Sequence, residues 1–339
     1  MRVKLLNGPY LLHFVSREEK ETSMDRTMWT ILVAAVDAAL ALVPAFGRRP
    51  IYSDRLIVLL TLWAVWHDRC LSWACDKDHY GNLFRPRKRP SISQFIRRVK
   101  TERIDLVLQR IHNDLRSRGI AMPFDGLSYI DGKPVLVSGV SKDPEAKRGK
   151  AWGGFAKGYK FHAYVNEHRR VMVWIVTPLN GDEKTMAHHM VEHLPPGVAR
   201  ADTPSSIARS APMTLGDANY DSSPLHRDFE AIGRTLFTPL RGEKFVGAQG
   251  RSEKTLAAIA PTRRDAIDLW EDRPELATLV LKARNNIEGT FSVLSLALGL
   301  DRLPGHVRRL PRVRRWIGCK VILYHARLIA QACRKTAAA

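Results

Sequence analysis

The chain has 339 residues, enough for about two domains by length alone. Forty-five per cent of them are apolar, which excludes a wholly disordered chain. Lys and Arg number 54 against 34 Asp and Glu, giving a formal charge of +20 and a pI near 10.2. Such an excess repels itself unless a polyanion compensates it, and nucleic acid is the usual polyanion; a generally basic soluble protein is the plainer alternative. Four cysteines, Cys70, Cys75, Cys319 and Cys333, show no metal-site spacing and no disulfide framework, which points to a reduced, cytoplasmic setting.

Residues 1–30 do not read as a signal peptide, because Glu18, Glu19, Lys20 and Glu21 interrupt them. They form a poorly defined extension, and Met24 is a candidate start. The apolar run 31–46 contains Asp37 and Pro44 and falls short of the roughly 20 residues of a membrane span, so no membrane association is expected.

Residues 31–120 read as a helical region. Residues 31–42 have helical spacing, Gly47-Arg-Arg-Pro50 breaks it, and Asp54 is placed to cap a helix over 55–67. Residues 72–78 continue after a turn. Ser91 opens a helix whose Ile92, Phe95, Ile96 and Val99 share a face, with Arg97 and Arg98 pointing elsewhere. Ile104, Val107, Leu108, Ile111 and Leu115 make a further amphipathic helix. This set suits either a helix-turn-helix-like DNA reader or a plain helical bundle, with Arg97 and Arg98 as DNA backbone contacts.

From Leu127 the pattern becomes strand-like. A short strand over 127–131 delivers Asp131 at its end and then turns. Residues 134–140 are a second strand or its continuation, followed by strands over 158–165 and 171–177 and a helix over 182–194. Residues 201–211 read as loop, 213–216 as strand, 222–232 as helix, 235–238 as strand and 242–252 as loop. Residues 265–270 and 279–298 read as helices, and a basic closing helix follows Asp301. If 134–140 merges with the first strand, the order is that of a ribonuclease H-like mixed sheet flanked by helices, covering 121–339.

Three acids stand at apt positions in that order: Asp131 and Asp217 at strand ends and Glu288 on a late helix. Each alone is ordinary, as a turn former or a surface ion pair. Together they are the hard oxygen donors that two-metal phosphoryl transfer requires around ions about 3.5–4 Å apart. His189-Met-Val-Glu192-His193 has the spacing of a zinc pair, but a solvated helix face explains it better.

Tyr129-Ile-Asp131-Gly, Lys157-Gly-Tyr-Lys160-Phe-His, Leu215-Gly-Asp217-Ala-Asn-Tyr220-Asp-Ser and Arg284-Asn-Asn-Ile-Glu288-Gly-Thr-Phe291 resemble the DDE-type transposases of bacterial insertion sequences. The similarity runs from about Tyr52 to the C-terminus. It implies a ribonuclease H-like fold behind an all-α region, two Mg²⁺ or Mn²⁺ ions, and a homodimer in the bacterial cytoplasm, associated with the nucleoid. Its partner would be double-stranded DNA, both terminal inverted repeats and target. Water would cut the element end, and the freed 3′-hydroxyl would attack target DNA.

Asp131, Asp217 and Glu288 match the family's catalytic, metal-binding acids. Arg284 matches an arginine that would hold a DNA phosphate, with an ion pair to Glu288 as the alternative. Lys157, Lys160 and Arg241 could line the DNA path. Leu281 stands where a tyrosine is common and Ser295 where a lysine is common. These departures keep two other readings open, a DNA-binding remnant that does not cut and a metal-dependent nuclease that cuts without joining.

Overall fold

The computed structural model describes residues 24–44, 50–119, 126–195, 212–240 and 259–338. Arg241, the loops expected over 201–211 and 242–252, and most of the N-terminal extension lie outside the described residues. Among the described residues the first four helices are α1 (Arg26–Ala41), α2 (Asp54–Trp66), α3 (Ile92–Val99) and α4 (Glu102–Ser117).

Helix α1 starts where Asp25 accepts the Met28 N–H at 2.8 Å. The cap of α2 is Ser53 and not Asp54. Asp54 is already inside the helix, buried, and takes Arg98 at 2.5 Å and Arg103 at 2.6 Å. Two short 3₁₀ turns, Trp73–Cys75 and Lys77–His79, follow α2. Helix α3 opens with a reciprocal capping box between Ser91 and Gln94. Its expected apolar face is half right: Phe95 and Val99 are buried, whereas Ile92 is exposed.

The first strand, β1 (Leu127–Leu136), is unbroken. Gly132-Lys-Pro does not turn the chain, and Asp131 lies in mid-strand, not at its end. Pro134 is tolerated because β1's neighbour on one side pairs with it only over residues 127–129, so no donor is required there. On the other side β3 (Gly154–Asn166) runs antiparallel, from Ser128↔Asn166 to Leu136↔Gly158. Strand β2 (Lys147–Ala151), unexpected from sequence, forms a hairpin with the first part of β3 through Trp152 and Gly153, both at positive φ.

Strand β4 (Val171–Pro178) pairs with the remainder of β3, and helix α5 (Glu183–Val191) follows it. Strands β5 (Met213–Leu215) and β6 (Thr235–Phe237) run parallel to β1 and to each other, with α6 (Ser223–Ala231) between them. The order β4-β3-β1-β5-β6, with β3 antiparallel to β1 and β4 antiparallel to β3, is the ribonuclease H-like arrangement.

The long helix expected over 279–298 is two helices, α8 (Pro274–Lys282) and α9 (Asn285–Leu296), preceded by α7 (Pro261–Asp272). At the break the N–H groups of Ala283, Arg284, Asn286 and Ile287 bond three residues back, a tightened turn that swings Arg284 and Glu288 towards β1. Helix α10 (Leu310–Ala338) closes the chain. Its first backbone N–H groups are held by the carboxylates of Asp143 and Glu145, just before β2.

One apolar cluster joins α1–α4, α9, α10 and one sheet face; a second packs Ile130, Tyr164 and Leu236 against α5 and α6. Among the described residues no helix is long and apolar enough to cross a membrane.

Candidate active site

Successive residues of a strand face opposite sides, so Asp131 shares a face with Tyr129, whose hydroxyl accepts from Asn286 of α9 at 2.9 Å. The last paired couple of β1 and β5 is Tyr129↔Leu215. Asp131 and Asp217 each lie two residues further on, so parallel neighbours bring the two acids to one level. Asp217 lies just beyond β5 and accepts the Asn219 N–H at 2.8 Å, opening the 3₁₀ turn Ala218–Tyr220.

Asp131 accepts its neighbour's Gly132 N–H at 2.7 Å and the Arg284 guanidinium at 3.2 Å. The other arm of Arg284 reaches Glu288 at 3.5 Å. Glu288 is in the first turn of α9 and largely exposed. One arginine thus links the first and third acids; its pair with Glu288 is the alternative that the sequence left to a phosphate contact, and its contact with Asp131 was not expected.

Burial pushes the Asp131 carboxyl up to about 6, helped by the charges of Asp217 and Glu183 and opposed by Arg284. Burial also raises Asp217, with Glu183 adding to the effect. Negative charge is therefore in excess here, and the donors are all carboxylate oxygens, the class that Mg²⁺ and Mn²⁺ prefer; the residues fit such a cation. Among the described residues no three His, Cys, Asp or Glu side chains already stand as a ligand set. Their oxygens are engaged instead by Arg284, Lys160 and Asn219.

Glu183 was not expected. It lies in the first turn of α5, which Asp182 caps by accepting the Thr185 N–H at 2.8 Å. The signal is topological: β4 ends at Pro178 opposite Tyr159, and Tyr159 is opposite Val135, so α5 starts beside the second half of β1. Sequence marks Asn219 and Tyr220 only as part of a family motif, yet Asn219 bridges two acids and Tyr220 is fully buried near them.

The expected DNA-binding residues scatter. Arg97 is exposed on α3, whereas Arg98 is held by Asp54 and the Tyr52 carbonyl. Lys157 donates to the Ser141 carbonyl at 2.8 Å and Lys160 to Glu183 at 2.8 Å. Ser295 is buried and donates to the Phe291 carbonyl, and Leu281 packs on the core. His189 is exposed on α5, and Glu192 and His193 are exposed just beyond its end, as a solvated surface requires.

Among curated proteins no sequence matches. Two solved structures are similar at 11% identity: a piggyBac transposase synaptic complex with hairpin DNA and a pre-cleavage Mos1 transpososome. The first covers 95% of this chain and 76% of that one at a TM-score of 0.40. The second covers 82% and 80% at 0.22. At these scores neither carries weight for fold or function. The family model described as transposase DDE domain, by contrast, matches residues 123–324, more than half of the chain and all four of the motifs around Asp131, Lys160, Asp217 and Glu288. The chain therefore belongs to the transposase DDE domain family and is a DNA transposase.

Proposed function

We propose that this transposase is catalytically active: it cuts at the ends of its element and joins the freed 3′-hydroxyl to target DNA. Asp131, Asp217 and Glu288 are the acids that hold two divalent cations, Mg²⁺ or Mn²⁺. The observation that supports this best is the register of β1 and β5, which levels Asp131 with Asp217, together with the Arg284 link from Asp131 to Glu288. When bound, such cations neutralise charge on the attacking and leaving oxygens of an in-line displacement.

The protein's own groups do the rest. The carboxylates sit on a strand, on a 3₁₀ turn that Asp217 itself caps and on the first turn of α9, a rigid frame for them. Arg284, which reaches both Asp131 and Glu288, would pair with a phosphate in bidentate fashion once the acids hold cations instead. Arg97, exposed beside the helical region, and Lys157 and Lys160 near the sheet supply positive charge along a DNA path, and Arg241 is proposed for the same path. The DNA is double-stranded, element ends and target, and a homodimer would pair two ends in the nucleoid of a bacterial cytoplasm.

A second reading has one observation in its favour. Ser295, seven residues after Glu288, stands where the family often carries a lysine; it is neutral, buried and donates to the Phe291 carbonyl, so it offers no cation to a terminal phosphate. A chain that binds without cutting would follow. Purified protein, its own element ends and Mg²⁺ separate these readings. Activity predicts 3′-hydroxyl ends and joined target. Asp217→Asn should lower both by about 10³-fold while DNA binding persists. Binding without cleavage by the wild type would favour the remnant, and cleavage without joining would favour a nuclease.

A further inference from the structure

Glu183 is bound on three sides. Its Oε1 accepts Lys160 Nζ at 2.8 Å. Its Oε2 accepts the Asn219 side-chain amide at 3.3 Å, and the same amide nitrogen lies 3.3 Å from Asp217 Oδ2. Two carboxylates from different elements thus share one small donor, and a cation would draw the same two oxygens together. The third side is Gly132, next to Asp131. A Cβ there would stand 3.0 Å from Glu183 Oε1 and 3.1 Å from Lys160 Cδ. The missing side chain leaves the space into which the Glu183 carboxylate enters beside β1.

A further observation points the same way. Tyr220 is fully buried, and its hydroxyl has no hydrogen-bond partner. Its ring packs against Gly216, and its electrostatic neighbours are Asp131, Glu183, Asp217 and Arg284. A buried phenol costs free energy unless it is paired. This one is aimed into the acids, where a ligand's water shell or a re-oriented carboxylate would satisfy it. Lys160 meanwhile puts an ammonium, a compact point charge, against the carboxylate.

We infer that Glu183 is a fourth carboxylate ligand of the divalent-cation site and that Lys160 competes with the cation for it. The inference rests on the proposed function, since the site is the same one, but it goes beyond the three acids that the family motifs supply. It also gives Lys160 a role: its exchange between Glu183 and a DNA phosphate couples cation entry to DNA entry.

Titrate the full chain without DNA with Mn²⁺ and follow the free-ion signal by electron paramagnetic resonance. Glu183→Gln, which preserves shape, should weaken binding about tenfold or more, as Asp217→Asn does. Lys160→Met should tighten binding several-fold, and only when Glu183 is present. Lys160→Met reports independently should Glu183→Gln fail to fold. If both variants bind Mn²⁺ as the wild type does while Asp217→Asn loses it, Glu183 is only an ion-pair partner; the inference is then wrong and the proposed function stands. If Asp217→Asn also binds as the wild type, the acids are not a cation site and both fall.

Discussion

Gly132 is the residue on which the site's crowding turns. The atoms that a Cβ would meet are the far ends of two flexible side chains, Glu183 and Lys160. Gly132→Ala should therefore cost little stability, about 1 kcal/mol or less, since strand geometry accepts alanine. Its effect on catalysis should be larger, about 10²-fold, because the acids move by a fraction of an ångström to 1 Å. Thermal unfolding and a cleavage rate on the same preparation separate the two, and an unchanged rate would show that the Glu183 side of the site is unconnected with the chemistry. At this scale Asp131, Asp217 and Glu288 stand out in the sequence because each lies inside a recognisable motif. Glu183 was not: an acid in the first turn of a helix is the residue expected there for the macrodipole alone. Arg284 was legible in position, but its contact with Asp131 depends on a helix break that apolar spacing conceals.

Among the elements, α10 ties the helical region to the sheet, and a buried lysine is its clasp. Lys320 donates to the Val65 carbonyl at 2.8 Å at the end of α2 and pairs with Asp68 at 2.5 Å. Lys320→Met keeps the apolar stem and takes the ammonium away from the Asp68 carboxylate, while the Val65 carbonyl keeps the Asp68 N–H at 3.2 Å. It should cost about 3 kcal/mol, read by urea denaturation, with the half-exposed Asp68 limiting the loss. A change within experimental error would mean that the clasp contributes no net stability. The closing helix was legible from its apolar spacing, whereas β2 was not. Its sequence, Lys-Arg-Gly-Lys-Ala, has no strand-forming side chain, and it becomes a strand because the hairpin turn at Trp152 and Gly153 lays it on β3. Similarly, Gly132 and Pro134 look like a turn in isolation. The nine-couple ladder with β3 overrides that local preference and keeps β1 straight through Asp131.

For the whole molecule, charge and buried imidazoles set the response to solution conditions. With a formal charge of +20, DNA affinity should fall steeply with salt, on the order of 10³-fold between ~50 and ~200 mM if about six to ten phosphates are contacted. Acid should destabilise the fold. His112 and His325 stack 5.3 Å apart and both serve Val171: His112 Nε2 lies 3.0 Å from its carbonyl, and His325 Nε2 accepts its N–H. Burial, with Arg116 nearby, pulls His112 down to about 4, and burial pulls His325 well below the usual range, with His112, Arg170 and Arg116 adding to it. The unfolded chain therefore binds protons first as pH falls. The contribution is complete above about 6.5 and is lost as pH falls through about 4, roughly 3 kcal/mol from His112. Denaturation at pH 7.5 and 4.5 checks this: His112→Gln, which keeps a donor for Val171, should flatten the profile, and an unchanged profile would remove His112 as a cause.

Apart from β2, the order of strands and helices over residues 127–237 was legible because alternation and helical spacing survive at that scale, and the choice between one and two strands around Asp131 needed the paired partner. The proposed convergence of acids from β1, the turn after β5, α9 and α5 on a divalent-cation site has a direct test. Replace Mg²⁺ with Fe²⁺, add ascorbate and peroxide, and map where the backbone breaks. Cuts should cluster near residues 131, 183, 217 and 288 and be suppressed by excess Mg²⁺. Cuts absent from those positions, or gathered at His189 and His193 instead, would contradict the site.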